Sequence, residues 1–379
     1  MNKIIIIGPA HPLRGGLATF DHRLAKEFVE RGYDCQIYSF SLQYPNFLFP
    51  GKTQYTNEPP PAGIKIVPSI NSINPLNWIT VGNRIKIEKP DLIVVRYWLP
   101  VMGPALGTIL RRVKKNRHTK IVCIADNVIP HEHRPGDKSF TKYFLKSCDG
   151  FIAMSEKVLS DLRQFQREKP AKLVPHPLYD NFGEPVSKTQ ARKELGIGNS
   201  ELVILFFGFI RKYKGLDILL DAMRILKQDV KSEISNLKLL VAGEFYEDEK
   251  PYLDQIQRLG IAENVIMRTN FIPDSQVKYY LCAADAVVQP YRSATQSGVT
   301  PLAYYFEKPM IVTNVGGLPS LVPNEKAGLV AEPNAESLAA AIQRFYQLGE
   351  TYFLPHLRTE KQKFTWGHLV DAILEIGEH

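Results

Sequence analysis

The sequence predicts an α/β protein made of two doubly wound domains, each with a parallel β-sheet covered by helices on both faces. Short apolar runs alternate with helical periodicity along the whole chain, which is the pattern of parallel sheets. This alternation occurs twice, and 379 residues are too many for one ordinary core. Between the two halves lies a stretch rich in proline and glycine, residues 170–185, which favours an extended connector.

The strands are predicted from unbroken apolar runs, which are typical of strands buried on both faces. Seven are expected in the first half: Ile4–Ile7, Cys35–Phe40, Ile64–Ile70, Leu92–Trp98, Ile121–Ala125, Gly150–Met154 and Lys172–Pro175. Six are expected in the second half: Val203–Phe207, Leu237–Ala242, Val265–Phe271, Ala286–Gln289, Met310–Thr313 and Gly328–Ala331.

Helices are predicted where apolar residues recur three or four positions apart. They include Ala18–Arg31, Pro104–Lys115, Ser155–Gln166, Leu216–Leu226, Tyr252–Leu259, Ser275–Cys282 and Ala335–Leu348. A terminal helix follows, with Trp366, Leu369, Val370, Ile373 and Leu374 on one face. These elements place the first domain at 1–180, the second at 181–360 and the terminal helix at 361–379.

The composition is that of a soluble globular protein, with 44% hydrophobic and 23% charged residues. No uncharged apolar run approaches the ~18 residues that span a bilayer. The run Ile4–Ile7 is too short for a signal-peptide core. Cys35, Cys123, Cys148 and Cys282 lie far apart in the sequence, which indicates neither disulfides nor a zinc site. We therefore expect a cytoplasmic protein.

The net charge of +8 points to an anionic partner. Six of the ten residues at 111–120 are Lys or Arg. This run is either a solvated helix end or a surface attracted to anionic membrane lipids. Nucleic acid is not expected as a partner, because no recognition helix and no aromatic and basic sheet motif accompanies the run.

Residues 202–222 predict a strand, a basic turn and an amphipathic helix. The apolar run Leu202–Phe207 ends at Gly208, and Arg211 and Lys214 precede the helical pattern. In a parallel sheet such a turn lies at the carboxyl end of the strand, where ligands bind, and the helix N-terminus favours an anion. The turn is therefore either a phosphate site or a solvated basic loop.

A second candidate ligand loop follows the first predicted strand. Gly15 and Gly16 precede a helix, and paired glycines at such a place let backbone N–H groups approach a ligand closely. The alternative is a simple tight turn. The glycine spacing is not Gly-x-Gly-x-x-Gly and no acidic residue closes the next strand, so a dinucleotide fingerprint is excluded.

Taken together, these motifs resemble glycosyltransferase family four, the nucleotide-sugar-dependent retaining enzymes of the GT-B fold. The resemblance rests on the Gly-Gly loop with Phe20, the Phe-Gly and Lys-Gly elements at 207–215, Val241-Ala-Gly-Glu244 and Ala284-Asp-Ala-Val-Val-Gln-Pro290. It covers nearly the whole chain. It implies two Rossmann-like domains facing across a cleft, the first binding the acceptor and the second the donor. It also implies a C-terminal helix that crosses back to the first domain.

The resemblance further implies which residues bind the donor. Lys214 matches the lysine that contacts the donor diphosphate. Where family members carry an arginine directly after the glycine this chain has Phe209, so Arg211 is expected to supply that charge. The donor-binding residues expected around these two loops are Gly15, Gly16, Gly208, Arg211, Lys214 and Glu244.

One part of the family pattern is absent. Counting back from Pro309 places Ala294 and Leu302 where the resemblance expects two glutamates. A nest of backbone N–H groups in this region can still bind a phosphate; its residues are Gln296, Ser297, Gly298 and Val299. Val265–Pro273 resembles the segment that holds the donor base, with Phe271 and Ile272 nearest to it. Core packing is the alternative for these two residues.

The candidate catalytic residues are Asp126, His131 and Glu132. They follow a strand of the first domain, where family members carry a functional His or Asp, and they are expected to orient the sugar or the acceptor hydroxyl. A purely structural loop is the alternative. His131 and His133 also suggest zinc, but no further ligands stand at suitable spacing, so neither a metal nor another cofactor is expected. His176, in the connector, is expected to serve the hinge.

The function that the resemblance implies is transfer of a sugar from a nucleotide diphosphate donor to a hydroxyl acceptor with retention of configuration. The basic charge of the first domain suggests an acceptor or a surface that bears negative charge, such as a lipid-linked glycan at the inner face of the membrane. The expected acceptor is therefore a glycan or lipid-linked glycan, and the expected location is cytoplasmic and peripheral at that face. Two alternatives remain open. One is a non-catalytic relative that binds a nucleotide sugar or a glycan. The other is a GT-B enzyme of another class, an epimerase or a phosphorylase.

Overall fold

The computed structural model describes residues 1–45, 53–129, 134–228, 234, 236–294 and 297–378. The chain forms two compact units. Unit 1 comprises Met1–Pro177 together with Thr365–His379, and unit 2 comprises Leu178–Phe364. The sequence placed the corresponding boundaries after residues 180 and 360.

Over its described residues, unit 1 contains a parallel sheet of seven strands. They are β1 Lys3–Ile7, β2 Asp34–Leu42, β3 Lys65–Asn71, β4 Leu92–Tyr97, β5 Lys120–Ala125, β6 Gly150–Ala153 and β7 Ala171–Leu173. Their order across the sheet is β3-β2-β1-β4-β5-β6-β7. The helices of this unit are α1 Gly16–Glu30, α2 Pro75–Glu88, α3 Gly103–Val113, α4 Asp137–Leu145, α5 Glu156–Arg163 and, at the end of the chain, α14 Trp366–Glu378.

The strands of unit 1 are apolar because helices cover both faces of the sheet. Ile5, Ile93 and Ile121, on the three central strands, are fully buried. Tyr97 stacks on Phe144 of α4 with 4.2 Å between ring centres. The core therefore holds the carboxyl ends of these strands in fixed positions.

The last helix, α14, returns to unit 1 and packs against α1, β5 and β6. Trp366, Leu369, Val370 and Ile373 are buried, as the amphipathic pattern predicts. Leu374 is only half-buried. The predicted return of the chain to the first domain is thus confirmed.

The described part of unit 2 contains a parallel sheet of six strands. They are β8 Leu202–Phe207, β9 Leu237–Ala242, β10 Val265–Arg268, β11 Ala286–Gln289, β12 Met310–Thr313 and β13 Gly328–Ala331, in the order β10-β9-β8-β11-β12-β13. The helices are α6 Lys188–Leu195, α7 Leu216–Gln228, α8 Lys250–Leu259, α9 Val277–Ala283, α10 Val299–Tyr305, α11 Leu318–Leu321, α12 Ala335–Leu348 and α13 Glu350–Lys361.

Strand β10 is shorter than predicted. The apolar pattern predicts a strand reaching Phe271, but β10 ends at Arg268, opposite Ala242. Its neighbour β9 also ends at Ala242, and Gly243 then turns away with a φ of +140°. The ladder cannot continue without a partner strand, so Phe271 lies in the loop that follows.

In both sheets the strand order reverses beside the first strand of the unit. Strand β1 lies between β2 and β4, and β8 lies between β9 and β11. In open α/β sheets, ligands bind outside the carboxyl ends of the strands at such a switch point. The predicted fold class of two parallel-sheet α/β domains is confirmed, and each unit has one switch point.

No helix in the described part of the chain is both long and apolar enough to cross a membrane. Cys35, Cys123, Cys148 and Cys282 all carry free, buried thiols. Burial raises the pKa of the Cys35 thiol to about 12, so this thiol is uncharged and packs as a small apolar group.

Candidate active site

The basic turn after β8 lies at the switch point of unit 2. Gly208 follows the strand with a φ of +97°, a conformation that residues with a Cβ rarely adopt. A 3-10 helix, Lys212–Lys214, then leads to Gly215, where a Cβ would overlap the carbonyl oxygen of Pro290 after β11. The two glycines therefore bring the turn against the end of the neighbouring strand.

Lys214 is the buried cation of this turn. Its side chain is 9% exposed, and its Nζ lies 5.6 Å from the ring centre of Tyr291. Burial, and to a lesser extent the charge of Arg211, lowers the pKa of Lys214 to about 8. Among the residues that the structure describes, no carboxylate lies within ion-pair distance of this ammonium group. A buried charge without a counter-ion is costly, so this site favours an anionic ligand.

Arg211 lies at the start of the same 3-10 helix and is exposed. Its guanidinium group lies 5.0 Å from the ring centre of Tyr246, and Phe209 packs on the same ring at 4.1 Å. Phe209 and Arg211 thus share one aromatic partner beside the basic turn. This geometry places the Arg211 charge next to the position where the resemblance expects an arginine.

The residues after β11 adjoin this turn. A Cβ on Gly208 would lie 3.7 Å from Cγ2 of Val299, the first residue of α10. The backbone N–H of Val299 donates to the Ser297 hydroxyl at 3.2 Å, and that hydroxyl lies 3.4 Å from the Tyr291 hydroxyl. The Val299 amide is therefore already engaged, and Gly298 precedes it as the N-cap of α10. Gln296 lies outside the described residues.

The two positions where the resemblance expects glutamates also lie in this region. Leu302 is buried on α10, where it packs as a core residue. The carbonyl oxygen of Ala294 occupies the space where a Cβ on Gly316 would stand. Neither position offers a side-chain acceptor for a ribose hydroxyl.

Glu244 lies beside the basic turn because the loops after β8 and β9 continue side by side. A Cβ on Gly243 would overlap the carbonyl oxygen of Gly208. The backbone N–H of Ile210 donates to the Glu244 carbonyl at 2.8 Å. Glu244 is only 2% exposed.

Phe271 and Ile272 lie at the same edge of the sheet but farther along it. They follow β10, which is separated from β8 by β9. Ile272 is buried and Phe271 is half-buried. The structure therefore brings Gly208, Lys214, Glu244 and Val299 together, and leaves Phe271 and Ile272 at a distance of two strands.

The Gly-Gly loop lies at the switch point of unit 1. Gly15 has a φ of +102° and precedes α1, which begins at Gly16. The loop is held by part of the long segment that follows β2. The backbone N–H of Arg14 donates to the Gln54 carbonyl at 3.1 Å, and that of Thr56 donates to the Pro12 carbonyl at 2.9 Å.

A buried ionic cluster, which the sequence analysis did not predict, lies beneath this loop. Arg96 on β4 donates from Nε and from Nη2 to the two carboxylate oxygens of Asp126, each at 2.6 Å. The Arg96 Nη1 also lies 3.5 Å from Oδ1 of Asp21 on α1. All three side chains are at most about a tenth exposed. Burial, and secondarily Asp126, raises the pKa of Asp21 to about 8, although Arg96 opposes this effect.

The predicted catalytic residues have different outcomes. Each carboxylate oxygen of Asp126 accepts a hydrogen bond from Arg96, and the catalytic role of Asp126 stays a prediction. His131 and Glu132 lie outside the described residues, as does His133. His176 is buried with a pKa lowered to about 3 by that burial, and its Nδ1 lies 2.7 Å from the Pro177 carbonyl oxygen. His176 is therefore uncharged at neutral pH, and its role in the hinge stays a prediction.

Two family profiles match this chain. The profile described as Glycosyl transferases group 1 matches residues 187–353, which lie in unit 2. The profile described as Glycosyltransferase Family 4 matches residues 14–178, which make up most of unit 1. The chain belongs to the glycosyltransferases of group 1 and family 4.

A curated relative agrees with this assignment. A D-inositol 3-phosphate glycosyltransferase of Segniliparus rotundus is 30% identical over 239 residues, which are 60% of this chain and 51% of that protein. The chain thus spans about half the length of that relative.

The solved structures show that this glycosyltransferase has the GT-B fold. Sucrose-phosphate synthase of Thermosynechococcus elongatus superposes with a TM-score of 0.74 at 17% identity, over 100% of this chain and 98% of that one. Alr3699/HepE of Anabaena, in complex with UDP, superposes with a TM-score of 0.72 at 18% identity, over 98% of each chain.

Sequence signals for the missed residues of this glycosyltransferase were present but weak. Arg96 is the one charged residue in the otherwise apolar and aromatic run Leu92–Tyr97. Asp21 lies on the buried face of α1 directly after Phe20. A charge inside a core pattern indicates a buried ion pair, because a buried charge is rarely left uncompensated. The partner could not be identified without the register between β4 and β5.

Proposed function

We propose that this glycosyltransferase moves a sugar from a nucleotide diphosphate donor to a hydroxyl group of a glycan or lipid-linked glycan, with retention of configuration. The observation that carries the proposal is the buried ammonium group of Lys214 at the switch point of unit 2, without a carboxylate partner among the described residues. A diphosphate would supply the missing negative charge.

The basic turn also suits the chemistry of the leaving group. As the bond from the sugar to the diphosphate breaks, negative charge develops on the departing oxygen, and fixed positive groups stabilise it. Lys214 provides one such charge in a buried position, and Arg211 provides a second beside it. We propose that these two cations take the role that a metal ion plays in other transferases.

The acceptor step is proposed for unit 1. In a retaining transfer the departing phosphate can accept the proton of the acceptor hydroxyl, so no strong protein base is required. We propose that His131 and Glu132 orient the sugar or the acceptor hydroxyl. We propose that Asp126 contributes through its ion pair with Arg96, which binds both of its carboxylate oxygens.

We also propose a peripheral location at the inner face of the membrane, where a lipid-linked acceptor would be found. Part of the basic run at 111–120 is used within unit 1, since Arg111 donates to the Ser147 hydroxyl at 2.8 Å and Lys114 pairs with Asp149 at 2.6 Å. Lys115 and Arg117 are exposed, and we propose that they bind anionic lipid. Sedimentation with vesicles containing anionic lipid tests this part, and no binding at low salt would remove it.

The donor assignment is tested by thermal stability against a panel of nucleoside diphosphates and nucleotide sugars. The UDP series comes first, because HepE binds UDP. A ligand at ~100 times its dissociation constant stabilises the folded state by about 2.7 kcal/mol. Lys214→Met should abolish the shift, and Lys212→Met, on the exposed side of the same 3-10 helix, should leave it unchanged. No shift with any base would contradict the donor site.

Turnover assays then separate the remaining alternatives. A donor that binds but is never consumed with any acceptor would favour a non-catalytic relative. Release of free nucleotide and a rearranged sugar without an acceptor would indicate an epimerase. A requirement for inorganic phosphate would indicate a phosphorylase.

A further inference from the structure

Arg96 lies at the carboxyl end of β4, between the two strands whose loops form the candidate site of unit 1. Strand β4 pairs with β1 on one side and with β5 on the other. The loop after β1 carries Gly15 and Gly16, and the loop after β5 begins at Asp126. Arg96 is the charged residue placed between these loops.

The side chain of Arg96 hydrogen-bonds to the first residue after β5 and lies next to α1, which follows the Gly-Gly loop. It makes two hydrogen bonds of 2.6 Å to Asp126, in the bidentate arrangement that carboxylate and guanidinium groups favour. Its Nη1 lies 3.5 Å from Asp21, which follows the Gly-Gly loop by little more than one helical turn. Asp21 in turn lies against the end of β1, because a Cβ on Gly8 would overlap its carboxylate.

The guanidinium group is also fixed from its face. It lies 3.8 Å from the ring centre of Phe20. That ring is held in turn by Trp366 at 4.8 Å and by His176 at 5.0 Å. The Arg96 guanidinium group therefore hydrogen-bonds to Asp126 along its edge and packs on the Phe20 ring with its face, and its side chain is only 3% exposed.

We propose that Arg96 is a positioning residue for sugar transfer: it does not touch the substrate but holds the start of the β5 loop, through its hydrogen bonds to Asp126, and the first turns of α1, through its contacts with Phe20 and Asp21, in their active arrangement. This inference rests on the proposed function, since that function assigns both loops to the site. Arginine is required because its planar fork fixes the orientation of a carboxylate, whereas the ammonium group of lysine acts as a point charge.

The test compares Arg96→Gln, Arg96→Lys, Asp126→Asn and the double variant Arg96→Gln/Asp126→Asn. For Arg96→Gln we expect kcat to fall about 100-fold, because a misplacement of about 1 Å costs that much. The stability shift caused by UDP should be unchanged, since the donor groups lie in unit 2. Arg96→Lys should recover only part of kcat. The double variant should lose little more than Arg96→Gln alone, because paired residues are not additive.

Arg192→Gln is the matched control. Arg192 in unit 2 is also a buried arginine, and its Nη2 lies 3.2 Å from Asp285. Asp285 directly precedes β11, so this pair lies at the amino ends of the strands, away from the candidate site. This variant should lose stability without losing kcat per folded molecule. Equal losses of kcat in the two variants would overturn the proposal, because they would show a general effect of removing a buried charge.

Amide hydrogen exchange provides a readout that does not depend on activity. In Arg96→Lys and Asp126→Asn, exchange should accelerate in peptides covering residues 8–21 and 120–129 and remain unchanged in the rest of unit 1. Uniform acceleration, or none, would overturn the proposal. If the wild-type protein turns over no donor, the proposed function fails, while this exchange pattern still decides the role of Arg96. If Arg96→Gln does not fold, the kinetic comparison is made on these two conservative variants.

Discussion

The Nζ of Lys214 lies 3.0 Å from the point where a Cβ on Gly208 would stand. The glycine therefore serves two purposes at once. It adopts a φ of +97° that ends β8, and it leaves space for the buried ammonium group. Because Lys214 has no carboxylate partner in the described part of the chain, its exact position decides whether an anion can bind.

Gly208→Ala should weaken nucleotide binding by about tenfold, or about 1.4 kcal/mol, because the new methyl group displaces the Lys214 amine. It should also lower the free energy of unfolding by about 1–2 kcal/mol through backbone strain. Gly260→Ala is the matched control, since Gly260 has a φ of +64° but open space around its Cβ position. The control should lose stability and keep full affinity for UDP. Similar affinity losses in both variants would mean that strain alone explains the effect.

Lys214→Met should make the protein more stable at pH 7 while removing nucleotide binding. The pKa of Lys214 falls from 10.5 to about 8 on folding. The folded state therefore binds the Lys214 proton less tightly than the unfolded state does. Burying the charged ammonium group lowers the free energy of unfolding by its full amount below pH 8, and this destabilisation vanishes as the pH rises to 10.5. At about 1.4 kcal/mol per pKa unit the gain at pH 7 is about 3 kcal/mol. Denaturant unfolding of both proteins at pH 7 and pH 10 measures it.

The same titration predicts that affinity for UDP in the wild-type protein declines as the pH rises above 8, because the uncharged amine no longer attracts the diphosphate. Lys212→Met should show the wild-type decline, since Lys212 is exposed. Affinity that stays constant from pH 7 to pH 9.5 would contradict the role given to Lys214.

The sequence predicted the structure of the basic turn at 208–215 better than the cluster around Arg96, and the reason is the range of the contacts. The turn at 208–215 depends on an adjacent apolar run, two glycines and a following helical pattern, all of which are local. The pairing of Arg96 with Asp126 depends on the register of β4 and β5, in which Arg96 lies opposite Ile124. Such a register is set by the packed sheet and cannot be derived from either strand alone.

Helix α2 shows a second limit of prediction from the sequence. Leu76 and Ile87 are largely exposed on it, so its apolar residues do not form a single buried stripe. Periodicity therefore gave no prediction of this helix. The capping signal was nevertheless present, because the Asn74 side chain accepts hydrogen bonds from the backbone N–H groups of Leu76 and Asn77, with Pro75 at the first helical position.

Asp21→Asn and Asp91→Asn should change stability with opposite dependence on pH. The pKa of Asp21 rises from 3.8 to about 8, chiefly because of burial. The contribution of Asp21 to the free energy of unfolding is complete below pH 3.8 and is lost as the pH rises through 8. The wild-type protein should therefore lose on the order of 2–5 kcal/mol relative to Asp21→Asn between pH 4 and pH 8, at about 1.4 kcal/mol per pKa unit.

Asp91 behaves in the opposite way. Hydrogen bonds from the backbone N–H groups of Lys3 and Asn2 lower the pKa of Asp91 to about 2. Its stabilisation is present above pH 3.8 and disappears as the pH falls through 2, which corresponds to about 2 kcal/mol. Denaturant unfolding from pH 2 to pH 9 measures both variants. Parallel pH profiles for the two would show that Asp21 is ionised in the folded protein at neutral pH.

Gly150→Ala should destabilise unit 1 because the new Cβ would overlap Cγ2 of Ile376 on α14 and lie 3.2 Å from the Pro170 carbonyl oxygen. Overpacking of this kind costs about 1–3 kcal/mol. Ile376→Ala removes the overlapping methyl group, so the double variant should be more stable than the sum of the single changes predicts, by at least about 1 kcal/mol.

Leu369→Ala is the control, since Leu369 is buried on the same helix but is not among the residues nearest to Gly150. Combined with Gly150→Ala it should give an additive loss in denaturant unfolding. Additive losses for Ile376→Ala as well would mean that α14 does not lie against the start of β6.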